Sequence, residues 1–253
     1  VDVQCSDWDC TLERTPGGRP ALRLGLGRVK GLSAGGGERI IAARKTRPFS
    51  SIEDLARYAG LARRDLECLA AAGALESLAG DRHLARWQVL GTQQQMDMVQ
   101  TMPVAEGRPL LRRPTEGEDI AADYGQLGLT LGRHPLALLR GHLDRRGFVT
   151  SKALQGLPHG RRARTAGLVI TRQRPGTATG VTFLTLEDEF GTINVVVWSD
   201  LAERRRALVL GGRLLGVNGV IQKADGVLHL AAAQLEDHSA LLGRLVTTSR
   251  DFC

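Results

Sequence analysis

VTFLTLEDEFGTINVVVW, residues 181–198, is the stretch from which the fold of this chain is read. Val181, Phe183, Thr185 and Glu187 alternate with Thr182, Leu184, Leu186 and Asp188 in a run rich in β-branched and aromatic residues. Side chains of a strand point alternately to its two faces, so the pattern predicts a strand over 181–187. A polar Glu187-Asp188-Glu189 turn follows, with Gly191 just beyond it, and residues 193–198 form a nearly continuous apolar strand. The three acids are expected to be a solvated turn, because consecutive side chains on a turn point apart.

Working outward, a basic strand over 164–172 precedes this hairpin and is joined to it by the loop QRPGTATG, residues 173–180. Beyond it lie a helical segment over 200–208, a strand over 213–222 and a strand over 227–234, the last two joined by Lys223-Ala224-Asp225-Gly226. Short strands in this order, with a helix between the third and the fourth, are the order of a five-stranded OB-fold β-barrel. The two loops flank the ligand face of such barrels, which commonly take oligonucleotides. Single-strand binding there needs cations for phosphates and flat side chains for bases. Arg172, Arg174 and Lys223 supply the first and Phe183 the second. Alternation leaves open whether Phe183 and Trp198 point inward.

The chain has 253 residues and a formal charge of +7, from 34 Lys and Arg against 27 Asp and Glu. The excess is local. Residues 28–47 hold Arg28, Lys30, Arg39, Arg44, Lys45 and Arg47 against Glu38 alone, and residues 161–174 hold Arg161, Arg162, Arg164, Arg172 and Arg174 with no acid. Clustered cations of this kind fit a polyanionic partner such as nucleic acid. No apolar run approaches the roughly 18 residues that span a membrane, and no membrane partner is expected. The N-terminus lacks the layout of a signal peptide and begins without Met, which reads as a fragment or a processed piece. Cys5, Cys10, Cys68 and Cys253 form no C-x-x-C pair, so reduced structural thiols in a cytoplasmic protein are expected.

Residues 1–28 alternate around Pro16-Gly17-Gly18 as a β-hairpin. Residues 29–92 read as a helix-hairpin-helix module. Val29-Lys30-Gly31-Leu32-Ser33 is a tight loop before a helix through Ile40 and Arg44, and backbone N–H groups at such a helix start can face a phosphate. Gly35, Gly36 and Gly37 make that helix start weak, and Ser33 stands where a second hairpin glycine is expected. The predicted duplex-binding residues are Lys30, Gly31, Ser33, Arg39, Arg44 and Lys45. Ser50 and Glu53 read as a capping box for the next helix, and further helices are expected over 63–72 and from about Asp81. Residues 93–117, with Pro103, Pro109 and Pro114, read as a linker, residues 118–160 as a helical connector, 161–238 as the barrel and 239–253 as a tail. His134 is expected to cap or pack the helix that starts at Pro135. The fold class is therefore α+β multidomain, helical module first and barrel second.

No P-loop, G-x-S-x-G elbow, H-E-x-x-H or strand-borne pair of acidic metal ligands is present, so no catalytic or metal residue is predicted.

With the modules placed, the chain resembles the C-terminal region of bacterial C-family DNA polymerases of the DnaE type, and more closely their error-prone, damage-inducible subfamily. SDWDCTLE (6–13), ALRLGLGRVKGLS (21–33), RDLECLAAAGAL (64–75), LGLTLGRHPLALLR (127–140), RTAGLVITRQRPGTATGVTFLTLEDEFGTINVVVW (164–198) and SRDF (249–252) carry the resemblance. It implies a DNA-directed DNA polymerase, a nucleotidyltransferase for DNA replication and repair that extends chains past damage with divalent metal (Mg) held by an acidic palm absent from these residues. It also implies that residues 1–28 end a truncated fingers region, that the helical module contacts duplex, and that the barrel lies near single-stranded template. Gln95, Asp97 and Met98 match a sliding-clamp segment of the Gln-x-Asp-Met-Phe kind, with Val99 in place of the aromatic anchor. Loss of such an anchor typically costs about 2 kcal/mol, so accessory mutagenesis proteins are the implied recruiters, ahead of the clamp. The other reading of the residues is a non-catalytic protein-interaction scaffold using the barrel and the linker segment.

Overall fold

In a computed structural model the chain divides into two compact units, Val1–Leu129 and Thr130–Cys253. The structure describes residues 1–14, 18–92, 110–175, 180–224, 226–243 and 250–252.

The first unit opens with an antiparallel hairpin of β1 (Thr11–Arg14) and β2 (Pro20–Arg23). Then come α1 (Ala34–Thr46), α2 (Ile52–Tyr58), α3 (Arg63–Ala71), α4 (Glu76–Ala79), α5 (Arg82–Gly91) and, after the expected linker, α6 (Glu116–Leu127). Their apolar stripes meet in one core that includes Leu26, Ile40, Ile52, Leu55, Leu69 and Leu75. The three glycines expected to weaken α1 are instead inside it. Ser33 caps the helix, its Oγ accepting from the Gly36 amide at 3.0 Å, and a Cβ on Gly37 would stand 2.4 Å from the Trp8 ring. Close approach of Trp8 is what demands glycine there, and tertiary packing outweighs the propensity cost of about 1 kcal/mol.

The cap of α2 lies one residue later than the Ser50–Glu53 reading. Ser51 is the cap, accepting from the Asp54 amide at 3.1 Å, and the Asp54 carboxylate accepts from the Ser50 amide and hydroxyl. With Ser50 held by Asp54, the helix begins at Ile52, and Ile52 and Leu55, three residues apart on one face, lie in the core. The expected connector over 118–160 is divided. In α6, Asp119 and Asp123 grip the buried Arg82 of α5 at 3.1 and 2.6 Å, which ties that helix to the first unit.

The second unit contains α7 (Pro135–Arg145), α8 (Ser151–Gln155), β3 (Arg162–Gln173), β4 (Thr182–Asp188), β5 (Gly191–Val197), α9 (Ser199–Arg204), α10 (Arg206–Gly211), β6 (Leu214–Ala224) and β7 (Val227–Asp237). The strands run β4-β5-β7-β6-β3, and β3 pairs again with β4, so the sheet closes into a five-stranded barrel. Val169, Leu184, Leu186, Val195, Val197, Val217, Ile221 and Leu230 fill it. The single helix expected between the third and fourth strands is two short ones, broken at Arg205. Residues 239–253, expected as a tail, include β8 (Arg250–Phe252), which adds to β3 in parallel.

Of the acidic turn, only Glu187 is solvated as expected, its side chain 41% exposed; Asp188 and Glu189 are not. The Asp188 side chain is fully buried and accepts from the Ser151 amide and hydroxyl, both at 2.6 Å, and from the Phe190 and Gly191 amides at 2.9 and 3.1 Å. Glu189 takes a two-pronged bond from Arg140 of α7. Three of these donors converge on Oδ1 and the Ser151 amide takes Oδ2, which fixes both the turn and the start of α8. His134 caps α7 as the sequence predicts, its Nδ1 accepting from the Leu136 amide at 3.2 Å.

Asp188→Ala strands those donors in a dry site, and the expected loss is about 3 kcal/mol in urea unfolding. The pH dependence of stability is also fixed in sign. Burial pushes the imidazoles of His134 and His238 below their ordinary value of 6.5, against the opposing pull of Glu187, Glu189 and Asp188 on the first and of Glu236 and Asp237 on the second. Arg140 and Arg146 push the same way as burial. Both rings are therefore neutral in the fold and take up protons more readily when unfolded. Their contribution is complete above about pH 6.5 and is lost as pH falls through the depressed folded values. Thermal melts between pH 7.5 and 5 should show a falling midpoint, flattened in His238→Gln.

Candidate nucleic-acid interface

The hairpin ahead of α1 has the expected backbone. Gly31 adopts φ +86°, a left-handed conformation that favours glycine, and Leu32 donates to the Val29 carbonyl. The Ala34 and Gly35 amides, first in the helix, have no intrahelical acceptor and lie at the exposed end of its dipole. Lys30 and Lys45 are exposed, and their ammonium groups meet no partner among the described residues. Arg39 is half-exposed. Its Nε donates to the Ala59 carbonyl at 2.9 Å, and its outer nitrogen stands 4.0 Å from Asp65.

Two of the predicted duplex contacts have structural work instead. Ser33 gives both its amide and its hydroxyl to the Asp65 carboxylate at 3.0 Å. Arg44 donates to the Val3 and Ser6 carbonyls at 2.9 Å and to Asp7, and its side chain is only 15% exposed. Beside them the structure places Arg47 and Arg57, both ion-paired with Asp54, the second at 3.6 Å, with guanidinium groups 3.9 and 4.8 Å from the centre of the Tyr58 ring. Arg39, Thr46, Arg57 and Tyr58 are among the residues that line an open cleft of about 470 Å³. Arg57 and Tyr58 are adjacent in sequence, but nothing local marks them as facing α1.

On the barrel, Arg172 is corrected. It is buried and donates from Nε to the Val209 carbonyl at 2.7 Å and from its outer nitrogen to the Gly212 carbonyl, holding the end of α10 against β3. Arg164 is drawn to Glu236 at 2.8 Å and lies over the Phe148 ring. Arg174 stays exposed and shares Glu203 at 3.5 Å, whereas Lys223 donates its ammonium to the Gln155 carbonyl at 2.8 Å. Phe183 alternates with buried Thr182 and Leu184, so it lies on the outer face, opposite Val196. Gln95, Asp97, Met98 and Val99 lie outside the described residues.

Among the described residues no three His, Cys, Asp or Glu side chains are grouped to hold a metal. The densest acidic cluster does not fit one, because Asp188 is spent on Ser151 and Glu189 on Arg140. Among them, too, no helix is long and apolar enough to cross a membrane.

Comparison with known proteins agrees with this layout. The helix-hairpin-helix motif family matches residues 1–85, and the family described as an OB-fold nucleic acid binding domain matches residues 163–237. The error-prone DNA polymerase of Alkalilimnicola ehrlichii is 55% identical over 252 residues, 100% of this chain and 25% of that protein. The one from Methylococcus capsulatus is 48% identical over 270 residues, 100% of this chain and 26% of its own length. The chain thus spans about a quarter of the length of the curated relatives it matches. Among solved structures, asparaginyl-tRNA synthetase from Pyrococcus horikoshii aligns at 25% identity over 35% of this chain and 22% of its own, with a TM-score of 0.31, too slight a likeness to bear weight.

Arg172→Ala removes donors from two buried carbonyls, so urea unfolding should show a loss of about 2 kcal/mol. The affinity of the folded protein for single strands should be unchanged, read by anisotropy of a labelled oligonucleotide. A selective loss of affinity at unchanged stability would restore Arg172 to the DNA-facing surface.

Proposed function

Because the chain belongs to the error-prone DNA polymerase family, as a region about a quarter as long as the relatives it matches, we propose that it is a DNA-holding part of such an enzyme. In this reading the first unit grips duplex and the barrel attends the single-stranded template. The observation that carries it is the left-handed Gly31 turn at the start of α1, within the stretch matched by the helix-hairpin-helix family. Uncommitted amides at a helix start, with Lys30 and Arg39 beside them, make a site for a backbone phosphate. Lys45 adds long-range attraction. The chemistry of chain extension, with its divalent metal, belongs to acidic residues elsewhere in the parent polymerase. The reading extends to DNA-templated synthesis past damaged bases, and to damage-induced mutagenesis, by that parent. Recruitment would go through accessory mutagenesis proteins and, more weakly, through Gln95, Asp97, Met98 and Val99 to a sliding clamp.

Lys30→Glu combined with Arg39→Glu and Lys45→Glu should weaken duplex binding and make its salt dependence shallower. The slope of log affinity against log salt should fall by about 0.9 for each phosphate no longer neutralised, measured by anisotropy at salt concentrations from about 50 to 200 mM. An unchanged slope would overturn the duplex assignment and favour a protein-interaction scaffold.

A further inference from the structure

The Gly31 turn is anchored by elements distant from it in sequence. Within residues 29–33 the Leu32 amide donates to the Val29 carbonyl at 3.2 Å. The Lys30 amide donates to the Gln126 carbonyl of α6 at 3.0 Å, and the Ser33 amide and hydroxyl donate to Asp65 of α3, each at 3.0 Å. Asp65 is buried. It stands in the first turn of α3, which has no side-chain cap, so its carboxylate serves α1 in place of its own helix. A Cβ on Gly31 would lie 3.1 Å from the Cys68 Sγ, and Cys68 follows Asp65 by three residues on one face of α3. A Cβ on Gly36 would lie 2.7 Å from Asp65 Oδ2, so glycine in the first turn of α1 is what admits the carboxylate.

Two features tie this carboxylate to the phosphate site as well as to stability. Ser33, which it holds, is the residue from which the Ala34 and Gly35 amides follow, and its Oδ2 stands 4.0 Å from the outer nitrogen of Arg39. With Nε on the Ala59 carbonyl, the Arg39 guanidinium is fixed from two sides. We infer that Asp65 is a positioning residue for the duplex phosphate. It makes no contact with DNA itself; it holds Ser33 so that the amides behind it stay aimed at solvent, and it orients Arg39 beside them. The proposal rests on the DNA-holding reading above and names what pre-organises its site. A site ordered in advance loses less of its contact energy to ordering when the ligand arrives. Arg39, between the buried carboxylate and solvent, offsets the repulsion of an incoming phosphate.

The test measures duplex binding of the whole chain by anisotropy across a salt series, with thermal melts alongside. Asp65→Ala should weaken binding about tenfold, the size of one charge-assisted contact, and lower the slope of log affinity against log salt by about 0.9. Gly36→Ala attacks the same bond from the other side: its methyl group displaces the carboxylate from Ser33 while raising helix propensity, so binding should weaken in a protein that still folds. Asp65→Asn keeps an oxygen for the Ser33 amide and should recover most of the affinity and the slope. Arg172→Ala, destabilised in the other unit, should keep both. Unchanged affinity and slope in folded Asp65→Ala, or in folded Gly36→Ala where the first variant does not fold, overturns the positioning role. Weaker binding of Asp65→Ala at an unchanged slope traces to lost stability and also overturns it. The DNA-holding reading survives either result if the combined Lys30→Glu, Arg39→Glu and Lys45→Glu variant still flattens the slope. Failure of the unaltered protein to bind duplex overturns both.

Discussion

The barrel depends on a carboxylate that solvent never reaches. Asp188 closes the β4–β5 hairpin by accepting from the Phe190 and Gly191 amides, and it starts α8 by accepting from Ser151. A buried charge is tolerated only when it is hydrogen-bonded, and here three backbone amides and one hydroxyl donate to it. With the turn fixed, β4 and β5 keep their register from Thr182↔Val197 to Asp188↔Gly191. A one-residue slip would send Leu184, Leu186, Val195 and Val197 outward and Phe183 inward. The side that Phe183 takes is thus fixed by an acid at the far end of the same hairpin.

The same economy governs the arginines. A guanidinium carries five donors in a rigid fork and suits carbonyl clusters as well as phosphates. Arg44 uses them on Val3 and Ser6, Arg172 on Val209 and Gly212, and Arg82 on Asp119 and Asp123. Each is a strut within its unit. The cations left for a polyanion are consequently fewer than the net charge implies, and they include Lys30 and Lys45 in the first unit and Arg161 and Arg162 in the second.

Much of the fold is legible in the sequence because it is written in local periodicity. Alternation over 181–198 locates β4 and β5 to within two residues, and helical stripes with Gly60 and Gly73 bound α2 and α3. The cap of α2 slips by one residue because Ser50 and Ser51 are both good caps, and the Asp54 carboxylate claims the Ser50 amide and hydroxyl while Ser51 accepts from the Asp54 amide. Strand β8 escapes notice because three residues carry too little pattern to be read without their partner.

By itself the sequence determined the barrel order and the Gly31 hairpin, which rest on spacing along the chain, and the kinship with error-prone polymerases, which rests on the resemblance of whole segments. Only the tertiary structure decided which cations face solvent, that Asp188 is buried and that Trp198 is not. Those outcomes depend on which carbonyls and amides come within about 3 Å of a side chain, and residues distant in sequence supply them: Ser151 for Asp188, Val209 and Gly212 for Arg172. Periodicity names the face a side chain takes, whereas its charge is claimed by whatever donor or acceptor folding brings alongside.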